Sequence, residues 1–142
     1  IVVASDDARF SITEVRLGIT AAPILPELVA AIGPRQMRRY ALTGETFDAA
    51  EAHRIGLVHE ICPVGDLDEA AGPIIDGLLR SAPGAVLETK ALIAEVAGTA
   101  IDAATAEDMA AISGRGRGSD EAIEGFTAFF DKRPPNWYPS DT

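Results

Sequence analysis

An α/β chain is predicted, with strands gathered before residue 65 and helices alone beyond it. Three observations lead there. β-Branched apolar residues open the chain at Ile1-Val2-Val3. Apolar and polar residues alternate from Phe10 to Ile19. From Asp66 onward no stretch has strand character, and Pro, Gly and acidic caps punctuate the sequence as helices.

The elements follow in order. Ile1 to Ala4 reads as a short strand closed by Ser5-Asp6-Asp7, whose side chains favour turns. Phe10 to Ile19 reads as a second strand, with Ile12, Glu14, Arg16 and Gly18 on one face and Thr13, Val15, Leu17 and Ile19 on the other. Pro26 is placed to open a helix that runs to Ile32, with Gly33 just past its end. Pro34 starts the next helix and Gly44 closes it. Asp48-Ala49-Ala50-Glu51 has the spacing of a capping box, in which the Asp accepts a free helix N–H and the Glu reaches back. That helix ends at Gly56, and Leu57 to Cys62 reads as a strand stopped by Pro63.

Asp66 to Glu69 repeats the acidic start, and Gly72-Pro73 is expected to kink the helix that follows. Pro83 opens another helix. Ile101 to Ile112 is alanine-rich and amphipathic. Gly114-Arg115-Gly116-Arg117-Gly118 reads as a flexible basic loop. Ser119 or Asp120 then caps a last helix that Pro134-Pro135 stops. The break between Pro63 and Asp66 divides the chain into residues 1–65 and 66–142. The second part is helical and needs something to pack against.

Composition narrows the functions. The chain has 142 residues, 47% of them hydrophobic, enough for a core without disulfides or metals. Its 12 basic and 22 acidic residues leave a net charge of −10. Nucleic acid and anionic membrane surfaces are therefore poor partners, whereas a small anionic ligand needs only a few local cations. The single cysteine, Cys62, makes no intrachain disulfide, and no Cys/His metal spacing occurs. A reducing compartment, or indifference to redox, is implied, and a cytoplasmic setting is expected. The longest apolar stretch, Ile19 to Ile32, is interrupted by Pro23, Pro26 and Glu27 and is too short to span a bilayer.

Several residues are candidates for chemistry. Glu14 lies among Ile12, Val15 and Leu17. A carboxyl desolvated by such neighbours rises in pKa toward what a general acid needs at neutral pH. From spacing alone an ion pair with Arg16 on a solvated edge is the favoured account. His53 and His59 lack the partner spacing of a metal site. Arg35, Arg38 and Arg39 share a helical face, which reads first as a solvated stripe and second as a phosphate or partner contact. Ile123, Phe126, Phe129 and Phe130 make an apolar stripe on the last helix, with Phe126 and Phe130 expected in the core or an interface. Lys132, one of two lysines, follows the aromatic residues, an arrangement suited to a purine and a phosphate.

Three segments, ARFSITEVRLGI, LTGETFDAAEAHRIGLVHEICP and EGFTAFFDKRPPNW, occur in an order and spacing that resemble the C-terminal half of the enoyl-CoA hydratase/isomerase (crotonase) family. Within that family the pattern is most similar to methylglutaconyl-CoA hydratase-type members. The resemblance implies that residues 1–65 are the end of a spiral ββα core and residues 66–142 a helical trimerisation region, in a trimer or a dimer of trimers. It implies hydration of the double bond of an acyl-CoA thioester, with coenzyme A part of the substrate and no separate cofactor or metal. Glu14 matches a family acid/base glutamate, which reverses the ion-pair account. Thr13 and Leu17 fall near the acyl pocket. Phe129 and Lys132 match positions that reach the coenzyme A adenine and 3′-phosphate of an adjacent subunit.

Two departures accompany the resemblance. Thr20 to Pro26 is bulkier than the Gly-rich turn of many relatives, which alters the acyl-pocket wall. The oxyanion-hole segments and the first glutamate are expected upstream of Ile1, so the 142 residues alone are expected to be inactive. Double-bond isomerisation on the same scaffold, and a non-catalytic assembly module, are the alternative functions.

Overall fold

Short strands and punctuated helices are built from a sequence rich in Ala, Gly and Pro, and the computed structural model describes residues 1–98 and 102–139 of it. Its order is β1 (Val3–Ser5), β2 (Arg9–Phe10), a 3-10 helix (Glu14–Leu17), α1 (Leu25–Thr43), β3 (Phe47–Asp48), α2 (Ala49–Arg54), β4 (Glu60–Cys62), α3 (Leu67–Arg80), α4 (Pro83–Val96), α5 (Ala103–Gly116) and α6 (Asp120–Asp131). The chain separates into two units, Ile1–Pro73 and Ile74–Thr142. The division falls inside α3, eight residues beyond the expected break at residue 65. No described helix is long and apolar enough to cross a membrane.

The first unit closes a hydrophobic core. β1 and β4 pair in parallel, Ala4 opposite Ile61, and β2 and β3 pair antiparallel, Phe10 opposite Phe47. Ala4, Ile12, Ile32, Met37, Tyr40, Phe47, Ala52, Ile55 and Val58 are buried together. Tyr40 and Phe47 meet with ring centroids 4.1 Å apart, and Phe10 stacks on Phe47 at 5.6 Å. Burial of each large apolar side chain contributes on the order of 1.5–3 kcal/mol.

Gly33 breaks α1 as the punctuation predicted. Its φ of 74° and ψ of 161° interrupt the helical run between Ile32 and Pro34. Gly44 ends α1 in the left-handed region, φ 61°, with its N–H on the Tyr40 carbonyl. That is the αL ending that glycine favours.

Several expectations are corrected. The alternating segment from Phe10 to Ile19 is not a strand. Only Arg9–Phe10 pair, and the chain then coils into the 3-10 helix. Ile12, Glu14, Arg16 and Gly18 therefore share no strand face. Alternation fixes a face only where a neighbouring strand supplies the ladder, and here Ile12 alone is buried. The strand expected over Leu57 to Cys62 is limited to β4, because Leu57 and Val58 both donate their N–H groups to the Ala52 carbonyl.

The Asp48–Glu51 capping box is half-formed. Asp48 Oδ1 accepts the Glu51 N–H at 2.8 Å. The Glu51 side chain instead takes the Tyr40 hydroxyl and two Arg54 N–H groups at 2.5 and 2.6 Å. Charge-assisted partners outcompete the neutral backbone N–H.

Helices are the regular elements described in the second unit, which is differently finished. The helix α3 continues through Pro73. The Gly114 to Gly118 segment is not a loop, since α5 runs to Gly116. Ile101, the expected start of that helix, lies outside the described residues. Asp102 caps α5 by accepting the Thr105 N–H at 2.8 Å, and Ser119 caps α6 by accepting the Ala122 N–H at 3.1 Å. Phe126 and Phe130 are not in a core. Both are exposed, as are Ile123 and Phe129, and Ala128 is the only buried hydrophobic residue described in this unit.

Polar ties hold the second unit instead. Glu121 on α6 accepts the Gly84 and Ala85 N–H groups at 2.9 and 3.1 Å, satisfying the free N-terminus of α4. Arg80 pairs with Asp76 at 2.7 Å and lies over the Tyr138 ring, while Tyr138 donates to Asp76. Trp137 donates its indole N–H to the Arg80 carbonyl at 3.1 Å.

Candidate active site

In the first unit Thr13 precedes the 3-10 helix and takes φ −101°, ψ 1°, with no side-chain cap. Its carbonyl accepts the Arg16 N–H at 2.9 Å. Glu14 is therefore the first residue of a tight turn, half-buried, between the buried anchor Ile12 and exposed Val15. Gly18 ends the turn at φ 75°. Thr13 is exposed, and Leu17 is 75% exposed on the same turn. An apolar side chain that open beside a carboxyl forms a surface rather than a core.

Arg16 does not pair with Glu14. Its Nη2 donates to the Thr43 carbonyl at 3.4 Å, and its stem lies over Gly44. The carboxyl of Glu14 has no ion-pair or hydrogen-bond partner among the described residues.

A second carboxylate in this unit is fully committed. Arg54 and then the Tyr40 hydroxyl hold Glu51 well below the usual range, at about 2. It stays ionised at neutral pH and is unsuited to proton transfer. Burial, with Asp66 and Asp6 nearby, pushes the Cys62 thiol up. Its Sγ faces the Ala4 carbonyl at 3.7 Å, so it is an inert filler rather than a nucleophile. His59 uses Nδ1 to accept the Val2 N–H at 3.0 Å, which ties the start of the chain to β4. His53 is exposed on α2. No group of three potential metal ligands occurs among the described residues.

In the second unit Phe129 and Lys132 sit at the end of α6. Phe129 is 76% exposed and meets Phe130 edge-on at 5.7 Å. Lys132 takes the left-handed conformation, φ 55°, the only positive φ of a non-glycine residue among those described. Its N–H bonds the Phe129 carbonyl at 3.3 Å and the Arg133 N–H bonds the Ala128 carbonyl at 3.1 Å, the paired closure of a Schellman ending. Arg133 then grips Glu124 with two bonds, at 2.7 and 3.0 Å. Arg133 and the Asn136 N–H hold that carboxyl at about 2.

Phe129 also lines a cleft of about 810 Å³ within this unit, walled by Ala85, Ala122, Gly125, Phe126 and Trp137. Sequence reasoning missed this cleft. Its walls come from α4, α5, α6 and the segment after α6, and only the Gly125 gap beneath Trp137, where a Cβ would stand 3.4 Å from the indole, hints at it.

Short paired strands and a carboxyl-bearing turn in the first unit, with helices in the second, define a helix-rich α/β protein. The enoyl-CoA hydratase/isomerase family profile matches residues 1–140. The chain belongs to the enoyl-CoA hydratase/isomerase family. A solved enoyl-CoA hydratase from Shewanella pealeana is similar, with TM-score 0.89 and 40% identity over 96% of this chain and 51% of that one. The solved Pseudomonas aeruginosa AtuE has TM-score 0.89 and 38% identity, covering 96% of this chain and 53% of its own. The Aspergillus fumigatus mevalonyl-coenzyme A hydratase sidH is 33% identical over 99% of this chain and 53% of its own length. The chain thus spans about half the length of the relatives it matches.

Proposed function

We propose that these residues belong to an enoyl-CoA hydratase that adds water across the double bond of an acyl-CoA thioester, with Glu14 as an acid/base group. The observation that carries this reading is the placement of Glu14. Among the described residues it is a half-buried carboxyl without an ion-pair or hydrogen-bond partner, on a turn whose Val15 and Leu17 are open. A carboxyl in that state is free to activate water or to return a proton to the α-carbon.

Thr13 and Leu17 flank it and serve as acyl contacts. Phe129 and Lys132 serve the coenzyme A end of an adjacent subunit's site, the ring as a stacking face and the ammonium as a phosphate partner. The open aromatic face of α6 supports a homo-oligomer, a trimer or a dimer of trimers, in which α6 meets a neighbouring subunit. The site requires no metal or cofactor beyond the thioester, and the protein works in the cytoplasm.

The test is Glu14→Gln in the complete protein, assayed with crotonyl-CoA. A drop of about 10²–10⁴ in kcat is expected, and unchanged turnover overturns the reading. Phe129→Ala and Lys132→Ala should raise KM for the thioester with less effect on kcat. The matched family includes isomerases as well as hydratases. Product formed in heavy-oxygen water separates them, since only hydration carries solvent oxygen into product.

A further inference from the structure

The 3-10 helix that carries Glu14 has little of its own to hold a direction. It is four residues long and none of them is buried. A single turn of this kind is a weak element, with poorer hydrogen-bond geometry than an α-helix. Among the described residues its side chains make one hydrogen bond to the rest of the protein, Arg16 Nη2 to the Thr43 carbonyl at 3.4 Å.

The place that receives Arg16 is shaped for it. A Cβ built on Gly44 would stand 2.8 Å from Arg16 Nε and 3.3 Å from its Cδ and Cγ. Gly44 is thus favoured by its left-handed φ of 61° and leaves room for the arginine lying across it. The carbonyls at the end of α1 lack helical partners and carry the negative end of the helix dipole, so a guanidinium there is favoured.

That end of α1 is itself fixed. Tyr40 is 0% exposed and donates to Glu51. Thr43 Oγ1 donates to the Arg39 carbonyl at 2.8 Å and accepts the Glu45 N–H at 3.2 Å, and Arg39 pairs with Glu45 at 2.5 Å.

We infer that Arg16 is a positioning residue: seated on Gly44 and tied to the end of α1, it fixes the turn so that the Glu14 carboxyl keeps one direction. This rests on the reading of Glu14 as the acid/base group. Arg16 touches no substrate. It acts through the turn it shares with Glu14, and Gly44 acts only by leaving it room.

The experiment uses the complete protein and crotonyl-CoA, with Arg16→Met, Arg16→Lys, Gly44→Ala and the Arg16→Met/Gly44→Ala double variant. Arg16→Met keeps the stem and removes the fork. It should lower kcat between about tenfold and a hundredfold, the scale of a misplaced reacting group. KM should stay within about twofold, since uniform binding is untouched. Arg16→Lys should recover part of the loss and remain below native, because the charge returns without the planar fork. Gly44→Ala should lower kcat in the native background and much less in the Arg16→Met background, where the tie to the Thr43 carbonyl is already gone.

Native kcat in Arg16→Met, with Glu14→Gln inactive, overturns this inference and leaves the role of Glu14 standing. Full activity in Glu14→Gln overturns the reading beneath it. Equal losses from Gly44→Ala in both backgrounds also overturn the inference, since Gly44 would then matter for its backbone alone. If Arg16→Met does not fold, Arg16→Lys decides: native kcat without the fork overturns the proposal.

Discussion

The two units solve the same problem of apolar surface in opposite ways. Ile1–Pro73 closes Tyr40, Phe47, Val58 and their neighbours into a shared interior. Ile74–Thr142 leaves Ile123, Phe126, Phe129 and Phe130 open and relies on polar ties such as Glu121 on the start of α4. Monomeric proteins rarely expose aromatic residues in such a group, and large open patches mark contact surfaces. The difference teaches that the first unit has an interior of its own, around Tyr40 and Phe47, while the apolar face of α6 in the second is the surface that the proposed assembly would cover.

The largest test of that contrast is Tyr40→Ala. It removes a ring with no solvent exposure, and loss of such a side chain costs roughly 3–5 kcal/mol. Urea unfolding followed through the first unit should show it as a clear fall in midpoint. A cost below about 1 kcal/mol would mean that the interior relaxes freely and the contrast is false.

Cap removal sharpens the comparison at smaller scale. Asp48→Ala in the first unit and Ser119→Ala in the second each delete one side-chain acceptor, at about 1 kcal/mol. Equal effects by thermal melting are expected, since caps are local and do not depend on a closed interior.

Acid should act on both units. Arg54 and Tyr40 hold Glu51 at about 2, down from 4.5, and Arg133 holds Glu124 likewise. A depressed carboxyl contributes stability above its unfolded pKa and loses it as pH falls through the folded value. The loss therefore lies between about pH 4.5 and pH 2. Glu51→Gln and Glu124→Gln should each flatten part of that fall in a pH series of unfolding midpoints.

The smallest effect is Phe130→Ala. At 75% exposure it should change the stability of the dilute chain by no more than about 0.5 kcal/mol. Its effect should emerge only with concentration. The native melting temperature should rise with protein concentration and that of the variant should not. A large loss in the dilute chain would show that the ring packs internally.

Much of this organisation is legible in the residues. Pro26, Gly33, Pro34 and Gly44 mark the two halves of α1, because glycine and proline dictate backbone conformation locally. Ser119 marks α6 because its side chain accepts a free N–H of the first turn. What escapes is set by distant partners. Nothing near Glu51 announces that its carboxyl turns to Tyr40. Arg16 and Gly44 are 28 positions apart, and neither signals the other. The segment around Glu14 misleads because alternation imitates a strand where no ladder exists. The glycines of α5 mislead in the other direction, since a glycine costs a helix only about 1 kcal/mol relative to alanine. For the site, the family pattern singled out Glu14, Phe129 and Lys132 as candidates, while the turn geometry and the cleft needed coordinates.

Lys132 gives the end of α6 a double duty. The left-handed residue that stops a helix is most cheaply a glycine, and Lys132→Gly should relieve up to about 1 kcal/mol of backbone tension. Glycine would finish the helix and present nothing. The lysine finishes it and carries a cation on an exposed side chain, so the helix's stopping place and its charged tip are one and the same residue.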